Sequence, residues 1–313
     1  MFTLNKVLTI IGPTASGKTS LAVNLSKKLN AEVISLDSRQ IYRGMAIGTA
    51  QPSIKEMNGV KHHLIGIKDP SLSISAGEYA KLVIDKVKDI KLKGRVPIIC
   101  GGAGLYYRAI SYGIFRGSKS DLSLRERLEK LYNIDPWRLM RRLRAIDPEY
   151  AAKIHINNKK RLVRSLEIFE ITGKTPSENF SDQRFNPTIN LDLYTVRIHR
   201  KRNELNKRIE KRLDFMLTSG WIEEVELLLV KQLRESKIFP PLDSIGYSQI
   251  KSYLNKEIDY NLMREKIIIK TRQFAKKQEK WFDREPINLT VDIGHMNSQL
   301  ISKILHCLMK DIT

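Results

Sequence analysis

Cysteine is scarce. Cys100 and Cys307 are the two present in 313 residues, too few and too far apart for a disulfide framework or a thiolate zinc site. That favours a reducing, cytoplasmic setting. Long apolar runs are missing as well: no stretch approaches the roughly 20 residues needed to span a bilayer. The chain passes almost at once into a strand-like run, so a cleavable leader is not expected. Acidic residues are also in short supply, 34 against 55 lysines and arginines, for a formal charge of +21. Such an excess points to a polyanionic partner, with nucleic acid the first candidate and a general solubility charge the plainer alternative. Internal repeats and low-complexity tracts are absent. The hydrophobic content of 42% is ordinary for a globular protein, and the length suits one large domain or two smaller ones.

Against these absences stands one dense motif. Gly12-Pro13-Thr14-Ala15-Ser16-Gly17-Lys18-Thr19 matches Gly-x-x-x-x-Gly-Lys-Ser/Thr. It follows the β-branched run 7–11, which reads as a strand buried on both faces. It precedes Leu21, Ala22, Leu25 and Leu29, whose helical spacing predicts a helix opening at about Lys18. In that setting glycines permit tight turns, and backbone N–H groups at a helix N-terminus face an anion. Lys18 adds a point charge, and the Thr19 hydroxyl can complete the shell of a phosphate-bound Mg²⁺. The motif does not reveal which phosphate compound binds or whether phosphate is transferred.

The run 31–36 predicts a second strand, ending at Asp37-Ser38-Arg39-Gln40. Sites of doubly wound sheets lie at the strand ends, so Asp37 is expected beside the phosphate loop, as a base, as an acid holding Mg²⁺ through water, or as a turn cap. Residues 44–52 read as loop. His62 and His63, adjacent on a strand, point to opposite faces and make a poor chelating pair. A helix is expected from Ser75 to Leu92, then a strand at 96–100 leaving through the glycine-rich turn 101–106. Beyond Tyr112 the composition turns helical and basic, with 15 basic and 8 acidic residues between Arg116 and Lys174. Asp135-Pro136 and Asp147-Pro148 mark helix starts, and Lys159 opens a helix running toward Gly173. The chain returns to strand character at 191–198. In the helix 201–217, Arg208 borders the apolar stripe of Leu205, Ile209 and Leu213, placed to turn into a cleft or to form a salt bridge. Residues 240–247 read as a loop feeding a helix. The segment 271–282 interleaves Arg272, Lys276, Lys277 and Lys280 with Phe274, Trp281 and Phe282, a combination suited to phosphates and stacked bases. An amphipathic helix at 298–312 closes the chain.

Together these motifs resemble the bacterial tRNA dimethylallyltransferases, also called tRNA isopentenyltransferases. The resemblance rests on Gly12 to Thr19, Asp37-Ser38 with Gln40 and Tyr42, Ile47-Gly48-Thr49-Ala50, His62-His63-Leu64 and Gly101-Gly102 with Gly104-Leu105-Tyr106. It continues through Ile154-His155, Arg161, Thr172-Gly173-Lys174, Ile245-Gly246-Tyr247 and Thr271-Arg272-Gln273 with Gln278 and Trp281-Phe282. It implies an α/β fold: a P-loop NTPase-like parallel sheet core, at 1–114 and 190–313, and a swinging helical tRNA-binding insertion at 115–189. It also implies a monomeric enzyme that transfers a dimethylallyl group from dimethylallyl pyrophosphate to N6 of the adenosine just 3′ of the tRNA anticodon.

By the same resemblance Gly12, Pro13, Thr14, Ala15, Ser16, Gly17, Lys18 and Thr19 bind the pyrophosphate. Thr19 meets Mg²⁺, Asp37 is the general base, and Lys18, Thr19 and Arg208 face the leaving group. The expected tRNA contacts are Asp37, Ser38, Arg39, Gln40, Ala103, Arg125, Lys160, Arg161, Leu162, Val163, Arg164, Gly246, Tyr247, Arg272, Lys276, Lys277 and Trp281. Ala103, Gln51, Lys61, Asn158 and Ser248 depart from the residues usual at their positions, which bears on affinity and tRNA choice more than on reaction type. A kinase on the same core and a non-catalytic RNA-binding protein are the rival readings; the first has no evident need for the basic insertion.

Overall fold

The run Val7–Ile11 forms β1, with all five residues buried. Its neighbours on both sides are parallel strands, which explains why it is apolar apart from Thr9 rather than alternating. A computed structural model of the chain describes residues 6–113, 121–185, 191–294 and 298–310. In chain order β1 is followed by α1 (Lys18–Leu29), β2 (Ala31–Leu36), α2 (Ile54–Met57), β3 (His62–His63), α3 (Ala76–Leu92), β4 (Val96–Gly101) and α4 (Gly104–Tyr112). Then come α5 (Leu122–Ile134), α6 (Pro136–Ile146), α7 (Pro148–Ala151), α8 (Lys159–Thr172), α9 (Pro176–Phe185) and β5 (Leu193–His199). The chain continues through α10 (Arg202–Thr218), α11 (Trp221–Glu235), a 3₁₀ turn at Pro240–Asp243, α12 (Tyr247–Leu254), α13 (Tyr260–Phe282), β6 (Leu289–Asp292) and α14 (Ser298–Lys310).

Among the described residues six strands make one sheet in the order β3-β2-β4-β1-β5-β6, every neighbouring pair parallel. Its core joins Leu8, Ile10, Ile98 and Val196 to Leu21 and Leu25 of α1 and to Ile304 and Leu308 of α14. Because the strands are parallel, the exits of β1, β2 and β4 share one edge of the sheet, and the phosphate loop, Asp37 and Gly102 therefore lie together. Gly101 lets β2 and β4 close up there: a Cβ on it would sit 2.0 Å from the Leu36 carbonyl oxygen. Strand β6 is not foreseen by sequence periodicity, which four residues are too few to display. It is held on β5 by pairing and by Asn288, whose Oδ1 accepts from the Thr195 N–H at 2.8 Å.

By internal contacts the chain forms two compact units, residues 1–107 with 191–313, and residues 108–190. The expected division at 114/115 and 189/190 falls on residues outside those described. Within the second unit, Asp121, Asp135, Asp147 and Asn158 cap the N-termini of α5, α6, α7 and α8 through their side chains. Asn158 therefore serves as the usual aspartate would at this cap. The unit has its own core of Leu128, Leu139, Met140, Leu143, Leu162, Val163 and Leu166. No helix among the described residues is long and apolar enough to cross a membrane.

Candidate active site

The loop between β1 and α1 is shaped by its glycines and braced from elsewhere in the chain. Gly17 has φ of 102°, a left-handed conformation that favours glycine, and a Cβ on Gly12 would lie 3.0 Å from the Ile198 carbonyl oxygen. Ala15 also adopts positive φ, 60°, a strained choice for a residue with a side chain. Gly17 caps α1 without a side-chain hydrogen bond, and the first turn holds no acid, so the positive helix end is left open to an anion. The buried guanidinium of Arg200 donates from Nε to the Ser16 carbonyl at 3.3 Å and from Nη2 to the Ile293 carbonyl at 2.7 Å. Gln278, on α13, accepts from the Thr14 N–H at 2.8 Å and donates to the Gly102 carbonyl at 2.9 Å, tying the phosphate loop to the glycine-rich turn after β4.

Lys18 Nζ donates to the Pro13 carbonyl at 2.7 Å. Burial, reinforced by the neighbouring Arg212 charge and opposed by Cys100 and Asp37, pushes its ammonium down to about 8. An anion in the loop favours the charged form and raises that value again. Affinity for an anion in the loop, probed with inorganic pyrophosphate, is thus expected to be full below pH 8 and to fall as pH rises through about 8, by at most about tenfold per pH unit, with proton uptake on binding in that window. Calorimetry in two buffers of different ionisation enthalpy measures the uptake, and subtracting the behaviour of Lys18→Met removes the ligand's own titration.

A cavity of about 370 Å³ opens at this edge of the sheet, and its lining includes Thr14, Ala15, Asp37, Ser38, Arg39, Gly102, Ala103 and Arg212. Apolar and aromatic lining comes from Ile209, Leu213, Met216, Trp221, Tyr247, Ile267 and Phe274. Asp37 Oδ1 accepts from the N–H groups of Arg39 and Gln40 at 2.8 and 3.2 Å. The turn-cap and base readings are therefore compatible, since Oδ2 has no hydrogen bond among the described residues. Glu224 fixes the far wall: its carboxylate takes the N–H groups of Ile47 and Gly48 at 2.7 and 3.0 Å and the Tyr247 hydroxyl at 2.7 Å. Burial and the adjacent Glu224 charge push the Tyr247 phenol far up, so it stays protonated and donating. Gly48 has no room for a side chain, because Trp221 Nε1 would be 1.9 Å from its Cβ.

Around this centre the other residues singled out from sequence take different places. Thr19 borders a second cavity of about 20 Å³ with Ser35, Gln40, His62 and Cys100. Gln40 donates from Nε2 to the Ala50 carbonyl at 2.8 Å and accepts at Oε1 from the Ser35 hydroxyl at 3.0 Å, bracing the loop that carries Gly48. Arg208 is exposed, and its Nε donates to the Ala15 carbonyl at 2.8 Å. Gly246 caps α12 with φ of 89°. Arg272 pairs with Glu210, Lys276 and Lys277 are exposed, and Trp281 lies against Gly104. Arg125 and Lys160 to Arg164 belong to the second unit. Arg125 and Arg164 share the fully buried Glu167 at 2.7 and 2.9 Å. Leu162 and Val163 require a correction: they are core side chains, 0% and 2% exposed, so the α8 surface is left to Lys160 and Arg161.

Sequence reasoning passed over Arg200, Glu224 and Arg212, and it placed Gln278 within a stretch expected to face RNA. Arg212 was within reach, since it lies one helical turn after Arg208 on the same border of the apolar stripe.

Comparison with known proteins adds a second line. The family model described as IPP transferase matches residues 40–285. The chain is 38% identical over 306 residues to the tRNA dimethylallyltransferase of Coxiella burnetii strain RSA 331, covering 96% of each chain. It is 39% identical to that of Bacillus velezensis, covering 95% of this chain and 96% of that one. The crystal structure of the tRNA isopentenylpyrophosphate transferase from Bacillus halodurans superposes with a TM-score of 0.70 at 34% identity, covering 98% and 97% of the two chains. A eukaryotic dimethylallyltransferase described as acting on tRNA superposes at 0.84 and 27% identity, covering 98% of this chain and 80% of that one. With the phosphate loop, Asp37 and the glycine-rich turn gathered at one edge of a parallel sheet, this chain belongs to the IPP transferase family.

Proposed function

We propose that the chain is a tRNA dimethylallyltransferase, moving the dimethylallyl group of dimethylallyl pyrophosphate to N6 of the adenosine immediately 3′ of the anticodon and releasing pyrophosphate. One observation carries this reading: Thr14 and Ala15 of the phosphate loop and Asp37 line the same cavity, together with apolar residues such as Ile209, Leu213, Met216 and Ile267. The pyrophosphate lies on the loop N–H groups and Lys18, with Arg208 at the loop's outer side. The adenine N6 approaches Asp37 Oδ2. As N6 bonds to C1, the C1–O bond breaks, its electron pair leaves on pyrophosphate, and the N6 proton passes to Asp37. The exocyclic amine is a weak nucleophile, so accepting its proton as the bond forms is where a positioned carboxylate acts. Preorganised donors at the loop are aimed at charge that grows on the leaving group. Reaching this cavity requires the adenosine to leave its stack.

The loop also suits Mg²⁺. The Thr19 hydroxyl makes no hydrogen bond among the described residues, Ser16 Oγ is buried without a partner, and the cavity beside Thr19 is large enough for about one water. Mg²⁺ characteristically keeps several waters and binds largely through substrate phosphates rather than in an all-protein cage. Mg²⁺ would be held by Thr19, in part through water, and would neutralise charge on the pyrophosphate.

Residues Lys160, Arg161, Lys276 and Lys277 offer exposed cations for RNA phosphates. If about three such contacts form, tRNA affinity falls roughly ten- to a hundredfold between 50 and 200 mM salt; filter binding across that range measures it, and a flat profile removes the role assigned to them. With tRNA as its substrate, we expect the enzyme to act in the cytoplasm and as a monomer. The deciding experiment combines the protein with dimethylallyl pyrophosphate, Mg²⁺ and a tRNA bearing adenosine 3′ of its anticodon. Mass spectrometry of digested tRNA should show a nucleoside heavier by one prenyl group, and its absence with folded protein overturns the reading.

A further inference from the structure

The histidine pair at 62–63 takes no part in the transfer described above. It forms β3, with His62 opposite Val33 and His63 opposite Ile34 of β2. Adjacent strand residues face opposite sides of a sheet, and the two rings meet different surroundings. His63 Nε2 donates to the buried carboxylate of Glu32 at 2.5 Å, which also accepts from Arg95 at 2.9 Å. His62 lies instead on the side of α1, where it borders the cavity of about 20 Å³ with Thr19, Ser35, Gln40 and Cys100. Its Nδ1 bonds the Val60 carbonyl at 2.9 Å. A carbonyl can only accept, so Nδ1 carries the proton. Burial holds the ring below its ordinary pKa, and it is neutral at pH 7. Nε2 is therefore an acceptor, buried and without a partner among the described residues.

Few donors can meet that nitrogen. Gln40 Nε2 is engaged by the Ala50 and Thr49 carbonyls at 2.8 and 3.3 Å, and the Ser35 hydroxyl donates to Gln40 Oε1 at 3.0 Å. Val33, Pro52 and Ile65 complete the lining and offer no side-chain donor. Cys100 brings only a weak S–H. The remaining strong donor is the hydroxyl of Thr19, in the first turn of α1. The cavity has room for about one water. Such a water donates to His62 Nε2 and to Ser35 Oγ and accepts from Thr19, about three bonds being usual for a buried water. We infer that His62 is a positioning residue for the phosphate site: through one buried water it receives the hydrogen bond of the Thr19 hydroxyl and so turns the Thr19 oxygen lone pairs toward a cation carried by pyrophosphate. This rests on the function proposed above. A hydroxyl oxygen that meets a cation must direct its proton elsewhere, and the water on His62 accepts it. Without that water the hydroxyl samples its staggered positions, and cation binding has to select one of them.

The test compares full-length wild type with His62→Leu, His62→Gln, Cys100→Ala, Thr19→Val and the His62→Leu, Thr19→Val double variant. Calorimetry follows binding of inorganic pyrophosphate over a series of Mg²⁺ concentrations, and melting follows stability. For His62→Leu the Mg²⁺ concentration giving half-maximal pyrophosphate affinity should rise about three- to tenfold, the scale of one hydrogen bond, while affinity at saturating Mg²⁺ stays within about twofold. His62→Gln, whose amide oxygen can accept in the same region, should recover most of the shift. Cys100→Ala should not move the Mg²⁺ dependence. In the Thr19→Val background His62→Leu should add no further shift, because the hydroxyl it orients is gone. A crystal structure of the wild type should show one ordered water within hydrogen-bond distance of His62, Thr19 and Ser35. An unchanged Mg²⁺ dependence with a lowered Tm would make His62 structural, and a shift reproduced by Cys100→Ala would assign Nε2 to the thiol. Full additivity with Thr19→Val, or no water at that place, would break the link to Thr19, and each of these results overturns the inference. Should His62→Leu fail to fold, His62→Asn, which can keep the Val60 bond but is too short to reach the water, is held to the same thresholds. If wild type binds pyrophosphate equally well without Mg²⁺, the inference falls while the proposed transfer stands. If wild type does not bind pyrophosphate at all, the proposed function itself has failed.

Discussion

Asp37→Asn is expected to lower the single-turnover rate of prenyl transfer by about 10²- to 10⁴-fold, the range of a positioned proton acceptor. The substitution is chosen because its structural cost is small. Asp37 Oδ1 accepts the Arg39 and Gln40 N–H groups, and an asparagine carbonyl oxygen accepts both equally well. What is lost is the oxygen on the cavity side that can take a proton. The melting temperature and tRNA affinity of Asp37→Asn should therefore match wild type, while product measured by mass spectrometry collapses. Activity within tenfold of wild type would show that N6 loses its proton elsewhere. Equal inactivity of wild type and variant would favour a protein that binds RNA without modifying it.

Lys18→Ala should cost on the order of 10²- to 10³-fold in kcat, as removal of one preorganised donor does. The reason is visible before any ligand arrives. The ammonium sits in a desolvated place where its own charge is disfavoured, folded back on the Pro13 carbonyl at 2.7 Å. A charge held this way needs little reorganisation when the C1–O bond breaks and negative charge appears beside it. The variant should remain as stable as wild type, since the lost hydrogen bond and the relieved desolvation oppose one another. It should also bind pyrophosphate more weakly, because product and leaving group carry the same charge. Steady-state kinetics with saturating tRNA separate the two: a fall in kcat identifies transition-state stabilisation, and a change confined to KM would mean that Lys18 only helps binding.

These two residues lie in the part of the site that is legible in the chain. Eight consecutive positions describe the phosphate loop, and its flanks announce a buried strand and an amphipathic helix. Asp37 follows directly on β2, and a parallel sheet brings the exits of its strands to one edge. The caps at Asp135 and Asp147 are equally local, because an N-cap needs only a side chain and the N–H two or three residues on. Leu162 and Val163 mark where a linear motif misleads. A run of residues around Arg161 reads as one basic patch, yet a helix turns successive side chains through about 100°, and these two face the core of the second unit.

Composition, the phosphate loop, the strand ends and the helix caps are thus determined by the amino-acid sequence itself, since each depends on residues within a few positions of one another. Tertiary structure alone decided that Gln278, 264 residues from Thr14, ties the phosphate loop to Gly102. It likewise decided that Glu224 holds Gly48 and Tyr247, and that Arg212 reaches the cavity while Arg208 lies outside on the loop. A hydrogen bond across such a separation leaves no periodicity in the chain. Its partner is selected by the packing of α10 and α13 beside the sheet, where buried donors and acceptors must be matched or remain costly.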